Sequence, residues 1–486
     1  SNIIINRYDF ENINKIPRYF KKSQILLLNK LEKNKDYQAQ YGILSKYVTN
    51  FGIENFYSET RLLWRLAKLT EMFGDYEDAK SLYRLVLRHH HGGINTGEIE
   101  LYYDSLNNQE VAQFVPIEYY YEMVEHRKLI DTLMPPKGVL LNMGFSVNSR
   151  GADYGPALSQ NNGALLFTSQ REELSMEINK NKNEDLYISY VDAYGTWSKA
   201  YAMQEINSNY NEGSACLSAD GNTLYFSRCD CPSCYGDCDL FSAILKDSIW
   251  TEIKNLGINV NSLSWDSHPS LSHSGDTLFF ASDRLGGFGL SDIYFTTKKD
   301  GSWTQSQNMG PIINTRNNEV SPFFHPLFRV LYFSSNGQLY NFGGFDIYKS
   351  YNIMDKWSEP INIGPLVNGT GSEFYFTIDA NSKDLYYARS SSKDLDKLDL
   401  YSFPLPMGAR PDAVAQLRGS LTDALNGKPF GGIVSVVDMD QGVEVAPKYL
   451  KEDGTFEFNL IDQRNYLLVI QGDDFFRIEE AFYLDG

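Results

Sequence analysis

Long apolar runs are missing from this sequence. No stretch approaches the roughly 18 residues that a helix needs to cross a bilayer; the best candidates, such as Tyr466 to Gln471, are only strand-sized. Positive charge is scarce as well, with 44 Lys and Arg against 62 Asp and Glu and a formal charge of -18. Binding a phosphate backbone would work against that field, which excludes nucleic acid as a natural partner. Catalytic signatures are also lacking. No Gly-x-Ser-x-Gly elbow occurs, which weakens a peptidase reading, and no phosphate-cradling glycine pattern follows a strand. Cysteine is sparse, with four of the five residues bunched between 229 and 238. That usage is compatible with an oxidising compartment without establishing one. The chain begins with Ser1, neither Met nor a lipidated Cys, so the expectation is that a preceding segment has been removed.

What is present is ample for several cores. A chain of 486 residues suggests two to four domains, and 33 Tyr with 29 Phe suit β-rich packing. From about Lys21 to Leu133 apolar positions recur at three and four, which predicts helices. In residues 62 to 93, Leu63, Leu66 and Ala67 line one helix, Gly74 and Asp75 make the turn, and Tyr76, Ala79, Tyr83 and Val86 line the next. This spacing resembles the tetratricopeptide repeat, and the stretch from Asn34 looks like a degenerate copy of the second helix. His89, His90 and His91 are consecutive and point in different directions around a helix, so they are read as a C-terminal cap before Gly92 and Gly93 and not as a metal site.

Downstream lies a repeat. Five segments open with an acid, Asp153, Glu212, Asp266, Glu319 and Glu373, spaced 53 to 59 residues apart, and each runs into an apolar hairpin pattern. Each then reaches Asp-Leu/Ile-Tyr/Phe, at Asp185, Asp239, Asp292, Asp346 and Asp399. Four continue to a Trp, at 197, 250, 303 and 357, and three of those to an Asn-x-Gly phrase at Asn255, Asn308 and Asn362. The fifth unit lacks this ending, but Asn142-Met-Gly with Asn148 supplies it ahead of the first. Strand 138–148 is therefore expected to complete the last blade of a five-bladed β-propeller. After Pro404, alternating apolar positions predict a small β-sandwich. Gly419, Gly427-Lys-Pro429, Asp453-Gly-Thr-Phe456 and Tyr466 to Leu468 make it resemble a carboxypeptidase regulatory-like domain. The expected fold class is thus multidomain, α plus all-β: a tetratricopeptide-like array over 1–134, a propeller over 135–405 and a sandwich over 406–486.

In that order, these three parts resemble the PorE-type periplasmic proteins of Bacteroidota, OmpA-family components associated with type IX secretion and, in gliding species, with surface adhesin machinery. The resemblance covers nearly the whole chain. Its propeller repeat is shared with TolB-like proteins, and the domain order is the more specific part. It implies a periplasmic, outer-membrane-associated scaffold without enzymatic activity, whose partners are a β-barrel of the PorP type and other secretion or gliding components. Such proteins end in an OmpA-like domain that grips peptidoglycan. This sequence stops at Gly486 without one, so peptidoglycan is implied only through a domain not present. The alternative reading is a glycan-active or glycan-binding five-bladed propeller, with Glu319 or Glu373 as the acids to test.

The five opening acids are read mainly as turn caps, because an active site needs carboxylates in different environments and not equivalent copies. The four repeat tryptophans are read as fillers between blades. Cys229, Cys231, Cys234 and Cys238 decorate an ordinary inter-strand loop, since FFASDRLGGFGLSDIYF from Phe279 fills the same place in the next unit. They are a candidate structural zinc site, although the C-x-C pair is uncommon in zinc modules. In the compartment that the resemblance implies, two disulfides are the simpler outcome, with free thiols as a third. A redox centre is disfavoured because no helix begins at the C-x-x-C. Cys216 is expected to be a buried thiol acting as a small hydrophobe.

Overall fold

The computed structural model describes residues 3–91, 114–115, 140–159, 161, 163–171, 183–390, 397–412, 415–461, 463–472 and 477–484. Apart from Phe114 and Val115, the expected helices beyond residue 91, the Gly92-Gly93 cap and positions 138–139 of the closing strand lie outside the described residues.

A helical N-terminal region precedes a large, multi-sheet β region. The helices are α1 (Lys22–Lys33), α2 (Tyr37–Val48), α3 (Ile53–Ser58), α4 (Thr60–Phe73) and α5 (Tyr76–His89). Leu63, Leu66 and Ala67 of α4 and Ala79, Leu82, Leu85 and Val86 of α5 are buried, which is the stripe their three-and-four spacing dictates. Gly74 ends α4, where an added Cβ would meet the Tyr41 hydroxyl at 2.6 Å. Asp75 starts α5 by accepting a hydrogen bond from the Glu77 amide. Tyr76 departs from expectation. It is 52 % exposed, because its ring lies outside the helix pair beneath the Lys80 ammonium.

Five antiparallel sheets follow, each running outward from a strand that opens with a repeat acid or lies beside one. Their first strands are Asp153–Leu158, Asn211–Leu217, Asp266–Leu271, Glu319–Phe324 and Phe374–Ile378. These strands touch in sequence, and the fifth touches the first, so the contacts form a closed cycle. Leu141–Asn142, from before the first sheet, pairs with Leu398–Pro404 at the outer edge of the fifth, Leu141 opposite Ser402 and Asn142 opposite Tyr401. A final pair of sheets, Ala415–Ser420 with Thr455–Leu460 and a four-stranded sheet over Ile433–Leu484, encloses Val434, Val436, Phe458, Leu460 and Tyr466.

The helical region is fixed to the third and fourth sheets. Phe288 enters the helical core beside Phe56 and His89, with ring centroids at 5.4 and 5.0 Å. Asn14 and Asn308 exchange side-chain to backbone hydrogen bonds at 3.0 and 2.8 Å. The three histidines diverge: His89 Nε2 lies 2.9 Å from the Pro311 carbonyl, His90 meets Arg316, and His91 packs on Tyr57. They serve the seam between helices and sheets. Among the described residues no helix is long and apolar enough to cross a membrane.

Candidate functional site

The repeat acids are consumed locally. Asp153, Glu212, Asp266 and Glu319 are fully buried and Glu373 is 2 % exposed. Each accepts a hydrogen bond from the backbone amide four residues earlier, at Ser149, Ser208, Ser262, Thr315 and Gly369. In the first three sheets the carboxylate also binds an arginine: Arg171 to Asp153 at 2.9 Å, Arg228 to Glu212 at 2.6 Å and Arg284 to Asp266 at 2.6 Å. Those guanidiniums stack over Tyr187, Phe241 and Tyr294. Glu319 and Glu373, the acids named for a glycan reaction, therefore face their own loops and are not presented to a substrate.

The second acidic phrase is equally structural. Asp239 accepts from Asn255 at 2.6 Å, Asn261 donates to Asn255 at 2.8 Å, and the Leu240 amide donates to Asn261 at 2.8 Å. The same latch joins Asn142 and Asn148 to Asp399 and Leu400 across the seam of the fifth sheet. Trp197, Trp250, Trp303 and Trp357 pack against apolar clusters between or beneath sheets.

The cysteine loop is stitched by disulfides between Cys229 and Cys238 and between Cys231 and Cys234. Cys229 and Cys238 are already cross-strand partners, so the first bond closes a hairpin end. Sulfur bonded in this way offers no thiolate to zinc. Cys216 faces a cavity of about 100 Å³ along the inner strands, where burial pushes its thiol up to about 12.

The place where unlike residues converge is one that sequence reading overlooked. Two positions after each acid, the inner strand bulges and the backbone turns left-handed, at Gly155, Ser214, His268, Ser321 and Tyr375. Three of these residues are small and two are large rings, and the large ones meet across the cycle. Trp265 to His268, His268 to Tyr375 and Tyr375 to Tyr154 each have centroids 4.9 Å apart. A continuous aromatic floor thus runs from the third sheet through the fifth to the first. Repeat alignment carries the signal, since only there do His and Tyr occupy a place held elsewhere by Gly or Ser.

Polar groups border this floor. Glu184 receives a hydrogen bond from Gln170 at 3.0 Å. Burial, then the Glu184 charge, raises the Tyr154 phenol well above its ordinary value, and the same two causes raise that of Tyr375. His268 Nδ1 accepts from the Ser321 amide at 3.2 Å, which leaves Nε2 to carry the proton of the neutral ring. Burial pushes its pKa down to about 3. The stitched loop borders the tryptophan end through a backbone bridge between Cys238 and Trp265. Gly236 permits that approach, because a Cβ there would run into the Ser264 carbonyl. Among the described residues no group of three or more His, Cys, Asp or Glu is arranged to hold a metal ion.

No family model matches the chain, and no curated protein does. Solved structures do match. A protein described as TolB from Agrobacterium tumefaciens is 12 % identical, with a TM-score of 0.34 over 66 % of this chain and 96 % of that one. An α-L-arabinofuranosidase from Lactobacillus brevis is 10 % identical, with a TM-score of 0.37 over 52 % of this chain and 90 % of that one. An arabinanase from Bacillus subtilis is 12 % identical, with a TM-score of 0.35 over 54 % of this chain and 97 % of that one. These findings correct the resemblance drawn from domain order. A PorE-type chain would carry the patterns of its component families, and no such pattern is met. The OmpA-family, type IX secretion and gliding identity is withdrawn, and with it the adaptor function and the expectation that the chain is not an enzyme.

Proposed function

We propose that this chain is a glycan-directed five-bladed β-propeller, flanked by a tetratricopeptide-like helical unit up to about residue 134 and a regulatory-like β-sandwich from about residue 406. The cycle of inner-strand contacts and the seam at Leu141–Asn142 support the ring. Two disulfides suit an oxidising, extracytoplasmic compartment such as the periplasm.

The observation that carries the glycan reading is the aromatic floor of Trp265, His268, Tyr375 and Tyr154 with Glu184 and Gln170 at its edge. A sugar ring has an apolar C–H face and a polar rim. Aromatic faces take the first, while a carboxylate and an amide take hydroxyl hydrogens. Glu184 is the carboxylate through which any bond cleavage at this floor would run, since the buried repeat acids are committed to their loops. The test is calorimetry and product analysis on neutral and acidic oligosaccharides with the chain and with Tyr375→Gly, which removes the ring but keeps the left-handed backbone. Binding is expected to weaken roughly tenfold, ~1.4 kcal/mol, and Glu184→Gln should abolish any turnover. A chain that neither binds nor cleaves any glycan, or that binds equally well without the Tyr375 ring, would sink this reading.

A further inference from the structure

A second cleft lies away from the ring axis, where α5, the fourth sheet and the C-terminal sandwich meet. Its volume is about 410 Å³, and its lining includes Arg84, Arg88, Phe342, Tyr348, Glu359 and Ile361. Arg88 is 3 % exposed. One of its nitrogens, Nη2, pairs with Glu359, whose other oxygen accepts from Asn6 at 3.2 Å. Among the described residues, Arg88 Nε and Nη1 and Arg84 Nη1 are buried and have no hydrogen-bond partner. The cleft therefore holds two cations and one carboxylate, Glu359, whose oxygens are both engaged.

Unpaired, buried guanidinium nitrogens are costly, because desolvation is not repaid by hydrogen bonds. Arginine presents its donors as a planar fork that matches a carboxylate in bidentate fashion. The walls beside the two guanidiniums are aromatic and aliphatic, which suits a ring attached to the anionic group. We propose that this cleft binds a small ring-bearing carboxylate, its carboxylate held by Arg84 and Arg88 and its ring against Phe342, Tyr348 and Ile361. The site stands on different residues from the axial floor and does not depend on the glycan reading.

An aromatic acid and an acidic sugar share this chemistry, so both are probed. Benzoate and D-glucuronate are titrated into the whole chain by calorimetry, with benzamide and D-glucose as uncharged counterparts. At least one acid should bind, with its uncharged counterpart at least tenfold weaker; whichever acid binds identifies the source of the ring. Arg84→Gln should weaken the acid at least tenfold without lowering the thermal midpoint, since Arg84 Nη1 has no partner among the described residues to lose. Glu359→Gln should tighten it severalfold by removing the competing carboxylate. The proposal is overturned if neither acid binds, if the uncharged counterpart binds as tightly, or if Arg84→Gln leaves affinity unchanged.

Discussion

The first three sheets and the fourth solve the same problem differently. Each has a buried acid at the start of its inner strand. In the first three an arginine answers it and also reaches one backbone carbonyl, at Val147, Ile206 and Val260. In the fourth sheet Gly337 stands where the first and third sheets carry their arginine, and Gln338 takes over the backbone contact by donating to the Ile313 carbonyl at 2.8 Å. Among the described residues Glu319 is left with Thr315 and Ser335 hydroxyls and no cation, and burial pushes its pKa up to about 8. A side chain at 337 would collide with Thr315 and Asn317, so an arginine has no room at that position. One backbone plan therefore accommodates either a charged pair or a neutral acid, and the neighbouring loop decides which.

That comparison can be broken first from its charged side. Arg284→Ala leaves Asp266 buried and uncompensated, which should cost about 3–5 kcal/mol. Chemical denaturation followed by tyrosine and tryptophan fluorescence reads the loss, and an unchanged midpoint would show that the pair is dispensable.

The neutral side is probed by pH. The folded-state pKa of Glu319 lies above its unfolded value of 4.5, so its contribution is fully present below 4.5 and is lost as pH rises towards 8. Between pH 4.5 and 7 this amounts to about 3 kcal/mol. Asp292 and Asp346, both raised by burial to about 6, act in the same direction between 3.8 and 6. His89 and His268, both lowered by burial to about 3, act oppositely and lose stability as pH falls below 6.5. Glu319→Gln should therefore gain on the parent chain steadily from pH 4.5 to 8. Parallel pH profiles for the two proteins would refute the assignment.

The smallest effect belongs to the stitched loop. The second and third sheets share this loop geometry, but only the second carries disulfides. Cys229→Ser with Cys238→Ser should cost about 2 kcal/mol, because the closed loop is short. Fluorescence of Trp265, read against a Trp265→Phe background, should shift if the loop also positions that ring. A shift no larger than that caused by opening the Cys231–Cys234 bond would remove the loop from the site.

Sequence made the ring's period plain, because the acids, the Asp-Ile-Tyr phrase and the Asn latch recur where backbone geometry demands them. The displaced copy at Asn142 and Asn148 could be matched for the same reason. The aromatic floor was illegible. His268, Tyr375 and Tyr154 lie far apart in the chain and meet where each inner strand bulges at the same step. The arginine partners were hidden too, since nothing local says that Arg284 turns back to Asp266. Domain order misled for a related reason: it reports the sequence of parts and not the groups on their surfaces.

The two-residue seam between Leu141–Asn142 and Leu398–Pro404 has a temporal consequence. Asn148 and Leu400, which hydrogen-bond twice across it, are 252 positions apart. During synthesis the first four sheets emerge with no closing partner available, and contacts this distant in sequence form slowly. The ring can shut only after Ser402 leaves the ribosome. Until then the inner strand of the first sheet lacks the neighbour that the fifth sheet provides and presents an open flank.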